Sequence, residues 1–306
     1  MGRFRSWSRA AAALAAVAAV AVPSTVAAVP AAASTSAICT SSVHPVLAAR
    51  MSQDIAASHR GRSSVTAFHI DVPSRNLVCS WHASWHFYSA SIVKVTILAA
   101  LLRKAQEKGR SLTYAERVRA WRMITYSDNS SATWLWNDVR RWWLQHFLNL
   151  AHMSHTILGS DGYWGLTRVT AYDESLQLRL LAHKNSVLTS AHRWYELYLM
   201  AHVVASQRWG TPVGVPSSYT VHLKNGWLPL SGYGWFINSL GAFTKTGSTY
   251  TMDVLTDHNP TMSYGVTTVE KIAYAANHDL NPTATATVPP SAPYPSWGQP
   301  DESIPS

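Results

Sequence analysis

Three short stretches carry the side chains that a hydrolytic site needs. In Ser91-Ile92-Val93-Lys94 the serine and lysine stand three residues apart, and no other S-x-x-K occurs in the chain. On a helix, positions i and i+3 share a face, so the Lys94 amine can reach the Ser91 hydroxyl. A serine hydroxyl is a poor nucleophile until a base takes its proton, and a lysine kept neutral by its surroundings can be that base. Ser127-Asp128-Asn129 follows at a helix-to-helix junction. Its residue types are the preferred helix caps. The same three residues could instead offer the Ser127 hydroxyl as a proton relay and the Asn129 amide to a neighbouring side chain or substrate. Two Lys-x-Gly tripeptides come later, Lys224-Asn225-Gly226 and Lys245-Thr246-Gly247. Taken singly, each piece has an ordinary structural explanation, a surface lysine on a helix or a capped helix start.

The elements that must hold these residues can be read from periodicity. Val46, Leu47, Met51 and Ile55 give helical spacing over 44–59, and 65–72 and 76–81 read as strands around a Pro73-Ser74-Arg75 turn. A strong helix spans 91–108, with Val95, Leu98 and Leu102 on its apolar face and Gly109 at its end. Helical patterns continue over 114–126, 131–150, 171–181 and 191–207, strands return at 219–227, 233–243 and 250–256, and a last helix covers 264–278. Two strands, a helical middle, three strands and a closing helix predict an α/β (α+β) fold. Its expected form is one five-stranded antiparallel sheet flanked by helices.

An S-x-x-K, then S-D-N, then K-T-G in that order is the signature of serine β-lactamases and penicillin-binding proteins. Over residues 39–280 the chain resembles the class A β-lactamase-like serine hydrolases, in the exported form found in actinobacteria. In that fold two strands and a helix follow the K-T-G strand. Two predicted strands follow Lys224 but only one follows Lys245, so Lys224-Asn225-Gly226 is assigned to the site and Lys245-Thr246-Gly247 to a hairpin turn. The resemblance implies Ser91 as nucleophile, Lys94 as its base, and Ser127 as the relay to the leaving nitrogen. Asn129 would bind a side chain or substrate amide, and Lys224 would attract a substrate carboxylate. Gly226 would keep the strand edge open, and the backbone N–H groups of Ser91 and Trp227 would form an oxyanion hole. Asn225 replaces the usual hydroxyl residue and is expected to donate its amide to the carboxylate. The implied activity is hydrolysis or acylation by β-lactams without metal or organic cofactor. The alternatives are a cell-wall D-Ala peptidase or esterase, and a non-catalytic binding module with the same fold.

Two departures stand out. The stretch 158–168 lacks the E-x-x-L-N glutamate that activates the deacylating water in class A enzymes; its only carboxylate is Asp161, placed as in a turn. Asp173 and Glu174 come later, at a helix start where acidic residues favour the dipole. Ser91 and Ser127 are also only 36 residues apart (127 − 91), which predicts a more open cleft. Acylation is expected to be intact and turnover slow.

The rest of the composition narrows the setting. Of 306 residues, 47% are hydrophobic and 13% charged, against about 25% charged in ordinary domains. With 14 Trp and 13 Tyr this excludes a disordered regulator. The formal charge of +9 is spread out, with no basic block beyond Arg140-Arg141, which argues against nucleic acid as a partner. Residues 1–33 read as a signal peptide: Arg3, Arg5 and Arg9, then an apolar run Ala10–Val22 too short to span a bilayer, then small residues. The protein is therefore expected to be secreted and monomeric, without a stable membrane anchor. Outside the cytoplasm the two cysteines, Cys39 and Cys79, are expected to pair. Residues 281–306 carry seven Pro among Thr, Ala and Ser and are expected to form a disordered tail. The His82/His86 and His152/His155 pairs lack the flanking carboxylates of a metal motif, so no metal is expected. Arg141-Trp142-Trp143 reads as a helix turn with tryptophan inward, and Trp164-Gly165 as a substrate platform or a loop anchor.

Overall fold

The computed structural model describes residues 38–283. The expected signal segment and the tail from 284 onward lie outside them. A six-stranded antiparallel sheet runs in the order β1-β3-β2-β8-β7-β6. Its strands are β1 (Cys39–Ser41), β2 (Val65–Val72), β3 (Leu77–Trp81), β6 (Thr220–Leu230), β7 (Gly234–Lys245) and β8 (Ser248–Asn259). A second, two-stranded sheet pairs β4 (Phe87–Tyr88) with β5 (Arg168–Val169). The five-stranded expectation thus needs one correction. The sixth strand has three residues, too few to show an alternating pattern, and it is held on β3 by Cys39 and Cys79.

Those cysteines face each other in register and form a disulfide, with Cα atoms 3.9 Å apart. On one face of the sheet α1 (Pro45–Ser58) packs with α7 (Met262–Leu280), burying Met51, Ile55 and Ile272 against Phe68 and Val254. A second core, built around α2 (Val93–Glu107), takes in α3 (Tyr114–Thr125), α4 (Asn129–Leu150), α5 (Ala171–Ala182) and α6 (Ser190–Ala201). Helix α2 buries all round, because Val95, Ile97, Leu98, Ala99, Leu101 and Leu102 leave almost no polar face. Such a helix is a central post rather than a surface element. None of the described helices is long and apolar enough to cross a membrane.

Lys245-Thr246-Gly247 forms the β7–β8 hairpin, with Lys245 opposite Ser248 and Gly247 at φ +77°. All three residues are exposed, as the sequence assignment requires. Helix α4 breaks at Arg140, whose φ of 68° and ψ of 150° lie outside helical space. Beyond the break the expected arrangement holds for Trp143, which packs on the core, and for the exposed Arg141, but fails for Trp142. Trp142 is 63% exposed, and Arg141 reaches sideways to the carbonyls of Gly159 (2.8 Å) and Leu158 (3.3 Å). The break swings the second half of the helix, so Arg141 clasps the 158–168 stretch and Trp142 leaves the core.

Candidate active site

Ser91 sits in a single 3₁₀ turn, Ala90–Ile92, that leads into α2, so this serine precedes the α-helix instead of opening it. The turn is reached through Ala90 at φ +47°. A non-glycine residue in the left-handed region is strained and persists only where its surroundings enforce it. Here the enforcing bonds are visible. Ser89 N donates to Thr167 O (2.8 Å), and Asn238 Nδ2 donates to Tyr88 O (2.9 Å) and Ser89 O (3.1 Å). Asn238 has no motif around it and could not have been found from the sequence.

Ser127 is the second strained residue, at φ +57° between α3 and α4. Ser127-Asp128-Asn129 both caps a helix and faces the buried lysine of α2. Asp128 caps α4 by accepting from Ser131 N at 2.7 Å, while Ser127 and Asn129 turn to the lysine of α2. Lys94 Nζ donates to Ser127 O (2.7 Å), Ser127 Oγ (3.1 Å) and Asn129 Oδ1 (2.7 Å). From the opposite side Lys224 Nζ meets Ser127 Oγ at 2.9 Å and Asn225 O at 2.8 Å. Both lysines are fully buried, and burial alone pushes the Lys224 amine down to about 7.

The two amines can be no farther apart than those two contacts laid end to end. At roughly 6 Å, two ammonium ions would repel by about 3 kcal/mol at an effective dielectric near 20. One proton too many at this oxygen is therefore costly.

Gly226 closes the site from the sheet side. A Cβ there would stand 2.8 Å from Ser89 O and Ser91 N and 2.9 Å from Ile92 N, all backbone atoms. Only glycine lets β6 lie against the Ala90–Ile92 turn. Strand β6 is an edge of the sheet, so alternate backbone groups of residues near Trp227 are not used by β7. Trp227 is half-buried, its ring 6.0 Å from that of Trp209. Asn225 departs from expectation. Strand alternation turns it away from Lys224 and Gly226, and its amide donates to Gln207 O and Trp209 O, both at 2.9 Å. With both amide protons held inside the protein, Asn225 fixes the 207–209 segment and has none to give a carboxylate.

The 158–168 stretch places Trp164 beneath the site. It is 1% exposed, which removes the substrate-platform reading and leaves the anchor. Its Nε1 donates to Thr133 Oγ1 on α4 (3.1 Å), and its ring face lies 4.7 Å from Lys94 Nζ. Asp161 is exposed at φ +52°, in a turn and away from this contact.

Glu174 is fully buried, its carboxyl pushed up to about 8 by burial and then by the charge of Asp173. It accepts from Gln177 Nε2 (3.0 Å), and Thr96 Oγ1 on α2 donates to Gln177 Oε1 (2.8 Å). Asp253 on β8 is likewise buried and pushed well up, by burial first and then by Glu174. Asp173 instead binds His155 N (2.9 Å) and Thr156 Oγ1 (2.7 Å).

The histidine pairs go to packing: His82 stacks on Trp85 at 3.8 Å, and the His86 ring meets His155 O at 2.8 Å. Among the described residues no three His, Cys, Asp or Glu side chains are grouped to hold a metal ion.

The arrangement is that of two buried amines meeting on one serine hydroxyl beside the turn that carries Ser91, and known proteins share its frame. The model of the β-lactamase enzyme family matches residues 47–120, a stretch that holds Ser91 and Lys94. No curated protein matches the chain in sequence. Among solved structures, a class A β-lactamase representative from Bacteroides cellulosilyticus superposes with TM-score 0.67 at 14% identity, over 76% of this chain and 98% of that one. A β-lactamase from Sphaerobacter thermophilus gives 0.64 at 18% identity, over 75% and 95%. PBP-A gives 0.65 at 14% identity, over the same shares. The chain is β-lactamase-like: it has the fold of the class A β-lactamases and of PBP-A, and its residues 47–120 match the β-lactamase enzyme family.

Proposed function

We propose that this protein is a secreted serine hydrolase that works through an acyl-enzyme on Ser91, with β-lactams as substrates or slow-leaving acylating agents. The carrying observation is the meeting of Lys94 and Lys224 on one Ser127 hydroxyl, from α2 and β6, elements far apart in sequence. A structural lysine pair has no reason to be buried together; a proton relay does. In this reading Ser91 attacks the carbonyl carbon, and a lysine amine takes its proton. Ser127 then returns a proton to the leaving nitrogen, and the N–H groups of Ser91 and Trp227 hold the oxyanion. Export rests on residues 1–33 and agrees with the Cys39–Cys79 bridge.

Release of the acyl group is the slow step. A deacylating water needs a positioned base. Beside Lys94 the 158–168 stretch offers the Trp164 ring, and its carboxylate, Asp161, is exposed on a turn. That same observation favours a second reading, a cell-wall D-Ala peptidase or an esterase, whose leaving group departs on acylation and makes room for water, whereas the leaving nitrogen of a β-lactam stays tethered to the acyl group. Intact-mass analysis after mixing with a penicillin should show one adduct, lost in Ser91→Ala. A chromogenic cephalosporin in stopped flow should show a burst and then slow turnover. Fast turnover without a burst would refute the slow-release reading. No adduct, with hydrolysis of a D-Ala-D-Ala peptide or a p-nitrophenyl ester, would favour the second reading. No reaction with any of the three would leave a binding module.

A further inference from the structure

We infer that Gln207 and Asn225 are positioning residues for the Ser127 hydroxyl: Asn225 on β6 fixes the 207–209 segment, and Gln207 on that segment holds the turn that aims Ser127. This rests on the acyl-enzyme reading above and deepens it, by naming what keeps the proton relay on target.

Ser127 needs holding. Its φ of +57° lies in the left-handed region, which a serine keeps only where its surroundings enforce it. Helix α3 supplies part of this, since Arg122 O accepts from Tyr126 N (3.1 Å) and Asp128 N (3.2 Å). Two more bonds come from one short stretch after α6. Val204 N donates to Thr125 O (3.0 Å), and Gln207 Nε2 donates to Tyr126 O (3.1 Å). The second ends on the peptide unit that joins Tyr126 to Ser127, so it holds the plane from which the Ser127 φ is set.

Gln207 is held in turn from the sheet. Asn225 Nδ2 donates to Gln207 O and Trp209 O, both at 2.9 Å. Its cross-strand partner on β7, Ser239, accepts from Thr211 N at 3.0 Å. A Cβ on Gly210 would stand 2.5 Å from Ser239 Oγ, so the segment lies flush on these two strands. The bonds form a circuit that leaves β6 and returns to it. Lys224 Nζ meets Ser127 Oγ directly at 2.9 Å. Asn225, the next residue, points to the other face of the strand and reaches the same serine through Gln207 and Tyr126. Strand alternation thus puts one residue on the relay oxygen and its neighbour on the backbone that carries it.

Both amides serve as donors. Tyr126 O, Gln207 O and Trp209 O can only accept, so each amide must face them with its nitrogen. Gln207 Oε1 and Asn225 Oδ1 are then left buried, without a hydrogen-bond partner among the described residues. An apolar side chain of the same shape would carry no such cost. What the two amides add is the hold on the turn and on the segment.

This role has a chemical signature. On acylation by an amide, Ser91 Oγ bonds to the carbonyl carbon and its proton passes to a lysine amine. The C–N bond then breaks as the nitrogen takes the Ser127 proton, and the lysine ammonium refills Ser127. A p-nitrophenyl ester needs no such proton, because p-nitrophenolate leaves as a stable anion. Misplacing Ser127 must therefore slow a penicillin more than the ester, whereas a general loss of packing slows both alike.

Gln207→Met keeps length and bulk and removes the donor. On the full chain, in quenched flow read by intact mass, its penicillin acylation should fall by about 30- to 100-fold. The fall with a p-nitrophenyl ester should be smaller by at least about tenfold. Asn225→Leu should give the same imbalance, and it carries the measurements if Gln207→Met does not fold. Ser127→Ala sets the scale, and adding Gln207→Met to it should slow penicillin by no more than about threefold further. Equal losses with the two substrates, or full additivity with Ser127→Ala, overturn the proposal. A crystal structure of Gln207→Met decides it without activity. Ser127 should leave the left-handed region, or its Oγ should move by more than about 0.5 Å. An unchanged turn overturns the positioning role. If wild type forms no acyl-enzyme with either substrate, the acyl-enzyme reading falls, and the crystal structure still decides whether Gln207 places Ser127.

Discussion

Gly226→Ala tests the contact between sheet and nucleophile most directly. The new Cβ would meet Ser89 O and Ser91 N at 2.8 Å and Ile92 N at 2.9 Å. None of these atoms can rotate away, because all belong to a backbone already pinned by Asn238 and Thr167. Ordinary contact distance for such pairs is about 3.5 Å, so β6 and the Ala90–Ile92 turn must separate by roughly 0.5–0.7 Å. Overpacking of this kind costs about 1–3 kcal/mol. For a domain of this size that is a loss of roughly 2–4 °C in Tm per kcal/mol. The effect on chemistry should be larger. A misplacement of about 1 Å between reacting groups can cost about 100-fold, so acylation should fall by about 10- to 100-fold while the protein stays folded. The assay is the burst rate with a chromogenic cephalosporin, read beside a thermal melt. A burst within about twofold of wild type, with an unchanged melt, would show that β6 does not abut the nucleophile turn and would refute the geometry argued here.

Three further outcomes follow from separate features. Lys224→Ala should abolish rapid acylation, whereas Lys245→Ala, in the exposed hairpin, should leave it unchanged; the reverse would overturn the strand assignment. Reducing the Cys39–Cys79 bridge should cost about 4 kcal/mol by the loop-entropy relation for a separation of 40 residues, read as a fall in denaturant midpoint, and non-reducing peptide mapping should find the pair joined. The Glu174 carboxyl stands at about 8 when folded, against 4.5 in an unperturbed glutamate. Between those values the folded state keeps a proton that the unfolded state has released, so stability falls as pH rises through the window and levels above it. Glu174→Gln should remove that slope and gain on the order of 4 kcal/mol at pH 8 but little near pH 4, in denaturant melts across pH. A parallel pH dependence in both proteins would show that Glu174 is not the group involved.

Much of this was legible in the sequence because it is local. Helical and strand periods located the long elements to within a few residues, except that the helix expected over 191–207 ends at Ala201, and the strand count after each Lys-x-Gly picked Lys224 over Lys245. What stayed hidden was non-local or too short to have a period. Strand β1 has three residues, β4 and β5 have two each, and these exist because partners elsewhere hold them. The break at Arg140 has no proline or glycine to announce it. Asn225 looked like a substrate donor because its motif partners face the cleft, yet strand alternation turns its side chain to Gln207 and Trp209. Asn238 is unremarkable in sequence, and its importance appears only when two carbonyls of the nucleophile turn converge on it. That both lysines share one hydroxyl could not be read from spacing at all, since 97 residues separate Ser127 from Lys224.

The two edges of the main sheet are closed by different means, and this bears on how the protein can be made. At the β6 edge the nucleophile turn itself occupies the open side. At the other, β3 is covered by the short strip Cys39–Ser41, held by its ladder to β3, the Cys39 N–Ser52 Oγ bond and the disulfide. An uncovered strand edge is a template on which strands of other copies can grow, and Val78 already shows an apolar side chain there. Made in a reducing cytoplasm, the chain would hold this cover by hydrogen bonds alone, and each opening of the strip would expose the β3 edge to other copies. The sulfur bridge thus serves solubility as much as stability, and an oxidising compartment is the place to produce it.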